Sequence, residues 1–537
     1  MNKLLTIVAL SSLPAIAMAQ SAPDAYNFSQ TDMRGTARFL SMGGAFTALG
    51  GDLSCLNQNP AGIGVYRRSE IGATLEIAPA KISSSTASNN ISKSNTYAYC
   101  NNFGYVGTVH LDGAMPTFSW GVSYNRIASF DRDYSVYNGS TETSLTNYIA
   151  SFTNGISEGD GEYNKGLMFG DYYNPYYDSK INWLSILAYN SYLINPSGGA
   201  NQYVGLANNS TNGDALTRVH ERGYVDEYAI DFGGNVENCV YWGIGFGITD
   251  FSLNQRIEYS ESMENATIYN GTTLVNNGDA GFNLTNHRVV TGTGLNIKAG
   301  VIFKPIQEFR IGIAVHTPTW YDMKQSSYGE VDYSFFDPNL AEGRDNPFQG
   351  NEYTDDAYYD FRLKTPWKLM VGGACVIGNQ AILSFDYERQ AYNDMSLKYE
   401  DGWDSWVDNT WANDHIKEYY KASNIVRIGA EYRLTPSVSL RAGYAYSTTN
   451  VKEEVENGAI EVATAGTNPA YTLNKDTNQI SAGLGYRYQA FYIDAAYVYR
   501  NRKSTYHAYT NFNGYRAPQA DLTEINHSIV LSLGFKF

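Results

Sequence analysis

From His527 to Phe537 the chain alternates without a break: Ile529, Leu531, Leu533, Phe535 and Phe537 share one side, and Ser528, Val530, Ser532, Gly534 and Lys536 the other. Side chains of a strand point to alternate faces, and about 9–11 residues cross a bilayer when the strand is tilted. A greasy face backed by smaller, more polar residues is what a wall between lipid and a polar lumen requires. An amphipathic edge strand of a soluble protein would look the same, so the decision falls to the rest of the chain.

The pattern recurs. Phe118, Trp120, Val122 and Tyr124 oppose Ser119, Gly121, Ser123 and Asn125, and Trp242, Ile244, Phe246 and Ile248 oppose Gly243, Gly245, Gly247 and Thr249. Leu295 to Phe303, Phe309 to Val315, Val426 to Leu434, Val438 to Tyr446, Ile480 to Tyr488 and Phe491 to Tyr499 repeat it. Between these segments, short turn-like links at 112–116, 236–239, 304–308, 377–380, 435–437 and 488–490 alternate with long polar ones. The long links fall at about 83–95, 133–222, 261–286, 318–357, 394–422, 448–477 and 501–523. Six short and seven long links imply about 14 strands, an even number as an antiparallel barrel of this kind requires. The expected fold is all-β: a transmembrane antiparallel barrel with long outer loops and short inner turns.

Composition fits this reading, since 45 Tyr and 50 Gly suit short alternating strands with aromatic girdles. A mean hydropathy of -0.36 does not contradict it, because only every second strand residue meets lipid. The formal charge of -16 argues against a nucleic-acid partner, which needs a basic surface. Residues 1–19 read as an export signal: Lys3, the apolar Leu4 to Leu13, then Ala17-Met18-Ala19 before Gln20. Past it, no apolar run is long enough for a transmembrane helix. Cys55, Cys100, Cys239 and Cys375 show no metal-ligand spacing, and any disulfide among them is unreadable. The histidines form no triad or metal pattern, so neither an enzyme nor a cofactor is expected.

Residues 20–68 precede the first strand, and 69–537 form the expected barrel. Within the first segment, small residues around Phe39, Met42 and Phe46 lead to Asn59, Pro60 and Ala61. Here the chain resembles the FadL/TodX family of outer-membrane transporters of hydrophobic compounds, whose best-known type carries long-chain fatty acids. The resemblance continues at Lys364-Thr365-Pro366-Trp367-Lys368-Leu369, at Arg427 to Leu434 and at Leu440 to Tyr444. It implies a 14-stranded barrel plugged by an N-terminal hatch, with Asn59, Pro60 and Ala61 as hatch residues. It also implies passive transport by ligand capture at the outer loops, hatch rearrangement and lateral exit near a kinked strand. The final Phe535 and Phe537 resemble the C-terminal assembly signal of outer-membrane proteins, which implies the barrel assembly machinery and outer-membrane lipid as partners of a monomer.

The longest link, about 133–222, holds two apolar patches: Ile149 and Phe152 in one, Trp183, Leu184, Leu187 and Tyr192 in the other. Leu184 and Leu187 at helical spacing are expected either to form a ligand groove or to pack as a lid. Arg218 and Arg222 are candidates for a carboxylate headgroup. Arg310, Lys298, Arg427, Glu431, Arg433, Arg441, Asp386 and Glu388 are expected to line the lumen as a polar network against the hatch. The acidic, Trp-rich stretch 401–411 fits calcium or sugar, or a solvated loop, and lacks an EF-hand spacing. Competing functions are a surface adhesin or structural barrel, and a haem receptor through His220 or His316.

Overall fold

The computed structural model describes residues 20–160, 165–340, 347–378, 380–400 and 405–537. The expected signal at 1–19 and the start of the Trp-rich stretch, 401–404, lie outside the described residues.

Alternation builds a closed barrel of 14 antiparallel strands. In chain order they are β1 (Glu70–Ser85), β2 (Asn90–His110), β3 (Thr117–Ser129), β4 (Asn212–Val236), β5 (Val240–Tyr269), β6 (Leu274–Phe303) and β7 (Phe309–His316). Then come β8 (Lys368–Ile377), β9 (Ala381–Gln390), β10 (Ser423–Arg433), β11 (Val438–Ser447), β12 (Tyr471–Tyr488), β13 (Phe491–His507) and β14 (Gln519–Lys536). Further strand segments continue β3, β7, β8 and β9 outward or add to their edges. β14 pairs with β1 from Lys536 opposite Glu70 to Asp521 opposite Ser85, which closes the wall.

The two faces separate as the sequence requires. On β14, Ile529 is 59% and Leu533 52% exposed, whereas Val530 and Ser532 are buried. Register carries the apolar row from strand to strand: Leu75 lies opposite Leu531, Leu531 opposite Ala495, Ala495 opposite Leu484, and Leu484 opposite Leu440. This exposed belt takes the place of a buried core on the outside, because lipid is its solvent.

The short links are where the sequence placed them. The long ones are not the loops expected. β5 and β6 run on as 30-residue strands through the expected loop at 261–286, and β1 and β2 continue to Ser85 and Asn90. Above the belt the outward face turns polar, as at Arg256, Glu258 and Ser260, while the inward face mixes Ile257, Tyr259 and Met263 with Gln255 and Glu261, so hydropathy reads a loop, yet the backbone ladder still satisfies every second amide. Residues 212–222, expected as loop, likewise belong to β4. Two strands break at proline, which has no N–H for a ladder. β7 stops before Thr317-Pro318-Thr319 and resumes over Trp320–Phe336, and Ala357–Lys364 stops at Thr365-Pro366-Trp367 before β8. The Lys-Thr-Pro-Trp motif is therefore a strand break.

Inside lies the hatch, built from α1 (Ala22–Ser29), α2 (Ala37–Ser41), α3 (Leu53–Gln58) and a 3-10 turn over Pro60–Val65. Thr36 caps α2 by accepting from the Phe39 amide at 3.1 Å. Asn59 caps the 3-10 turn, accepting from the Ala61 amide at 3.0 Å, with Pro60 in the first helical position, where no amide is needed. The Asn59 amide also donates to the Thr47 carbonyl at 2.6 Å, which ties the two halves of the hatch. Small wall residues let the hatch approach: a Cβ on Gly243 would lie 2.2 Å from the Pro60 carbonyl oxygen, and one on Gly443 2.0 Å from the Gly43 nitrogen. Phe39, Met42 and Phe46 form the apolar heart of the hatch.

Candidate functional site

Three levels of the lumen matter: an outer lid, a chamber above the hatch, and a gap in the wall.

The lid contains α4 (Leu145–Thr153) and α5 (Trp183–Asn190). Ile149, Trp183, Leu184 and Leu187 are all buried in one core, with Phe152 and Tyr192 packed against it. Burial covers Trp183 through Ala188 without interruption, so α5 is enclosed on all sides rather than presenting one greasy face to a groove. The expectation of an open groove is corrected on that ground. Tyr192 stacks on Tyr269 with ring centroids 5.0 Å apart. One wall carboxylate anchors the lid: Glu261 accepts from the Leu145 amide at 2.8 Å, from Ser144 Oγ at 2.5 Å and from Tyr259 Oη at 2.5 Å. It stands on the part of β5 that rises above the belt, and burial outweighs these donors and lifts its carboxyl to about 7.

Below the lid, α1 fills the lumen. Tyr26 stacks on Tyr420 and Phe28 meets Phe251 edge-on, while α6 (Thr410–Tyr419) lies against α1 from the stretch 394–422 that the sequence assigned to a loop. The described end of the Trp-rich stretch joins this packing: Arg362 lies 4.1 Å over Trp406, and Ala412 and Ile416 are buried. Beneath Phe28 is a chamber of about 230 Å³. Phe28, Val225, Tyr321, Met370 and Ile425 give it apolar walls; Lys298, Lys368, Arg427, Arg500 and Arg502 give it cationic ones. Most of these cations are engaged. Lys298 bonds Glu227 and, at 2.5 Å, Asn57 of the hatch; Arg427 pairs with Glu388 at 2.5 Å. Lys368 donates to Thr31 Oγ1 at 3.2 Å and, among the described residues, forms no salt bridge.

The expected lumen network is largely as read. Arg441 pairs with Glu431 at 2.6 Å and Asp494 at 2.5 Å, Arg38 of the hatch reaches Glu431 at 2.9 Å, Asp386 accepts from Thr47, and Arg310 donates to the Leu49 carbonyl. Arg433 is the exception: it is exposed at the inner end of β10. Arg218 and Arg222, the candidates for a headgroup, do not line the chamber. Arg218 is paired with Glu258 at 3.6 Å on β4, and Arg222 donates to the Glu221 and Arg132 carbonyls. His316 is buried at the chamber with Nε2 against the Gln58 carbonyl at 2.9 Å, and His220 stands half-exposed beside Asp133. All four cysteines are unpaired.

The gap lies between β2 and β3. Pairing runs from His110 opposite Thr117 to Asn102 opposite Asn125 and stops, within the level of the belt. β3 is bulged between Arg126 and Ala128, which turns its upper part away from β2. A small cavity behind the gap shares Met33, Arg34, Arg500 and Arg502 with the chamber. Two residues ahead of the expected hatch markers occupy this region. Asp32 accepts from Arg500 at 2.7 Å and Arg502 at 2.8 Å, and Arg34 donates to Glu76 at 3.1 Å. Burial would raise the Asp32 carboxyl, but Arg500, Arg502, Arg34 and the Ser129 amide hold it well below the usual range.

A family model described as outer membrane protein transport protein (OMPP1/FadL/TodX) matches residues 236–537. The chain belongs to this family. It is accordingly an outer-membrane β-barrel of a family that transports hydrophobic compounds. A FadL homologue from Pseudomonas aeruginosa shares the fold, with 13% identity, a TM-score of 0.52, and 94% of this chain and 99% of that one covered. A toluene transporter, TodX, from P. putida is similar at 13% identity and a TM-score of 0.49, covering 94% and 99%. The toluene transporter TbuX of Ralstonia pickettii gives 14%, 0.43, and 95% and 100%. No curated protein matches the chain.

Sequence reasoning passed over Asp32, Arg34, Lys368, Arg500 and Arg502. Only Lys368 carried a signal, as the residue that follows the Lys-Thr-Pro-Trp motif.

Proposed function

We propose that this family member passively transports amphiphiles with an acidic head and an apolar tail, with long-chain fatty acids as the class, and releases them sideways through the β2–β3 gap. The observation that carries the reading is the chamber, where Lys368, in no salt bridge among the described residues but within the field of Glu388 and Glu227, shares the lining with Phe28, Val225, Tyr321 and Met370. A carboxylate there completes a charge-assisted hydrogen bond, and a tail finds apolar wall. A neutral hydrocarbon such as toluene, the substrate in the name of the P. putida relative, would add no partner to that cation beyond Thr31 and the more distant Glu388 and Glu227.

The hatch favours transport over an adhesin or purely structural barrel, since a plug matters only where something passes. We further take the protein to act as a monomer, inserted by the assembly machinery through Phe535 and Phe537.

The test is competition: purified protein in vesicles is given a labelled long-chain fatty acid against unlabelled fatty acid, its methyl ester and toluene. Fatty acid should compete best and the ester poorly. Equal competition by toluene would replace the acidic-head reading with a hydrocarbon one.

A further inference from the structure

The gap is not open in this structure. Beyond the last ladder rung its sides, among the described residues, touch directly only through side chains: Ser129 Oγ with Tyr99 Oη at 3.1 Å, Tyr99 Oη with Asp131 at 3.0 Å and Lys93 with Asp133 at 2.9 Å. The backbone contacts that close it come from the hatch linker. Past Asn125, the Ile127 carbonyl accepts from the Asp32 amide at 2.9 Å, and the Ser129 amide donates to Asp32 Oδ2 at 3.3 Å. Two residues on, Arg34 reaches the opposite side. It donates to Asn101 Oδ1 of β2 at 3.2 Å and to Glu76 of β1 at 3.1 Å, and its guanidinium lies 4.3 Å over the Tyr99 ring of β2. Arg500 and Arg502 of β13 fix the Asp32 carboxylate from behind.

We infer that Asp32 and Arg34 form a clasp: the hatch linker takes over the backbone and side-chain partners that β2 and β3 stop offering each other, so hatch movement and gap opening are one event. The inference rests on the lateral-exit reading and names the residues that couple it to the hatch. An exposed strand edge needs partners for its amides and carbonyls, above all at membrane depth. With the linker in place those partners are Asp32 and Arg34. When the linker is withdrawn toward the chamber, the edge loses them and the wall parts there, while the other strand pairs keep their ladders. Asp32 and Arg34 are positioning residues, acting through the wall.

Hydrogen exchange of the protein in nanodiscs tests this, comparing the parent with Asp32→Asn, Arg34→Gln and Asp494→Asn. The last breaks a lumen ion pair remote from the gap. Asp32→Asn and Arg34→Gln should each speed exchange of segments 97–103 and 124–131 by about tenfold, as loss of a hydrogen bond to a charged group implies, and leave β14 unchanged. Asp494→Asn should not touch the gap segments. Heat-modifiable gel migration verifies folding, and Asp32→Glu and Arg34→Lys, which keep the charges, replace any variant that does not fold. These longer or shorter side chains should give smaller increases in the same segments.

Unchanged exchange at both gap segments in folded variants would overturn the clasp. A bis-maleimide bridge between Lys93→Cys and Asp133→Cys, residues that face each other across the gap at 2.9 Å, separates the two ideas. If the bridge blocks uptake while exchange is indifferent to Asp32, lateral exit stands and the clasp falls. If uptake survives the bridge, lateral exit falls whatever the exchange shows.

Discussion

Two seams of one wall are closed in different ways. Between β14 and β1 the backbone ladder runs nearly the whole height, and the chain end is fastened as well: the Phe537 amide donates to the Ser69 carbonyl at 3.0 Å, and the Phe537 carbonyl accepts from the Ser69 amide at 3.1 Å. Between β2 and β3 the ladder ends at Asn102 and Asn125, and beyond it a Ser129–Tyr99 side-chain bond and the backbone and side chains of the hatch linker finish the job. A ladder of backbone bonds opens only with the fold. A seam held by Asp32 and Arg34 opens when one linker moves, which allows a stable barrel to possess a gate.

The largest expected effect comes from breaking the sealed seam. Removing Phe537, or Phe537→Asp, deletes the last rung and the ring stacked 5.6 Å from Phe535, and places a charge in the belt. Heat-modifiable migration should disappear because the barrel no longer assembles; normal migration would make the terminal aromatic dispensable.

What passes the other seam is sharpened by Lys368→Met, which keeps length and removes charge. A charge-assisted hydrogen bond contributes about 1.5–3 kcal/mol, so fatty-acid affinity should fall about tenfold or more. Affinity for a methyl ester should stay level or improve, which titration against both ligands reads directly. Pro60→Gly is expected to shift uptake only by a few fold, with folded protein unchanged, since freeing one backbone angle in the hatch turn costs about 1 kcal/mol. Uptake equal to the parent's would leave Pro60 a merely structural residue.

The smallest effect concerns the lid above both seams. The Glu261 carboxyl is lifted to about 7 from an ordinary 4.5, so folding favours its protonated form. The stabilisation is complete below about pH 4.5 and is lost as pH rises through about 7. Proteolysis within 139–160 should therefore quicken between pH 5 and pH 8 in the parent, and this dependence should flatten in Glu261→Gln.

Much of the wall was legible because the bilayer demands large apolar residues at every second position, as at Ile529, Leu531 and Leu533. The outer extensions of β5 and β6 were not, since a polar outward face, such as Glu258, Ser260 and Ser262, beside an inward face that mixes Tyr259 with Glu261 has the mean hydropathy of a loop. In the lid, the helical run Trp183 to Leu187 was visible, yet its enclosure depends on partners as distant as Tyr333 and Tyr509. Asn59, Pro60 and Ala61 marked the hatch through the family resemblance, and the structure makes them a local cap and turn. The clasp had no local pattern at all: Asp32 meets Arg500 and Ile127 only because the barrel brings them together.

Lateral passage is the central claim, and a photoreactive long-chain fatty acid carrying a diazirine on its tail tests it most directly. After uptake into cells and illumination, peptide mapping should place adducts on 97–101 and 126–131, the two sides of the gap. Adducts confined to residues 64–68 and the inner turns would mean that cargo leaves beneath the hatch, and would contradict the account.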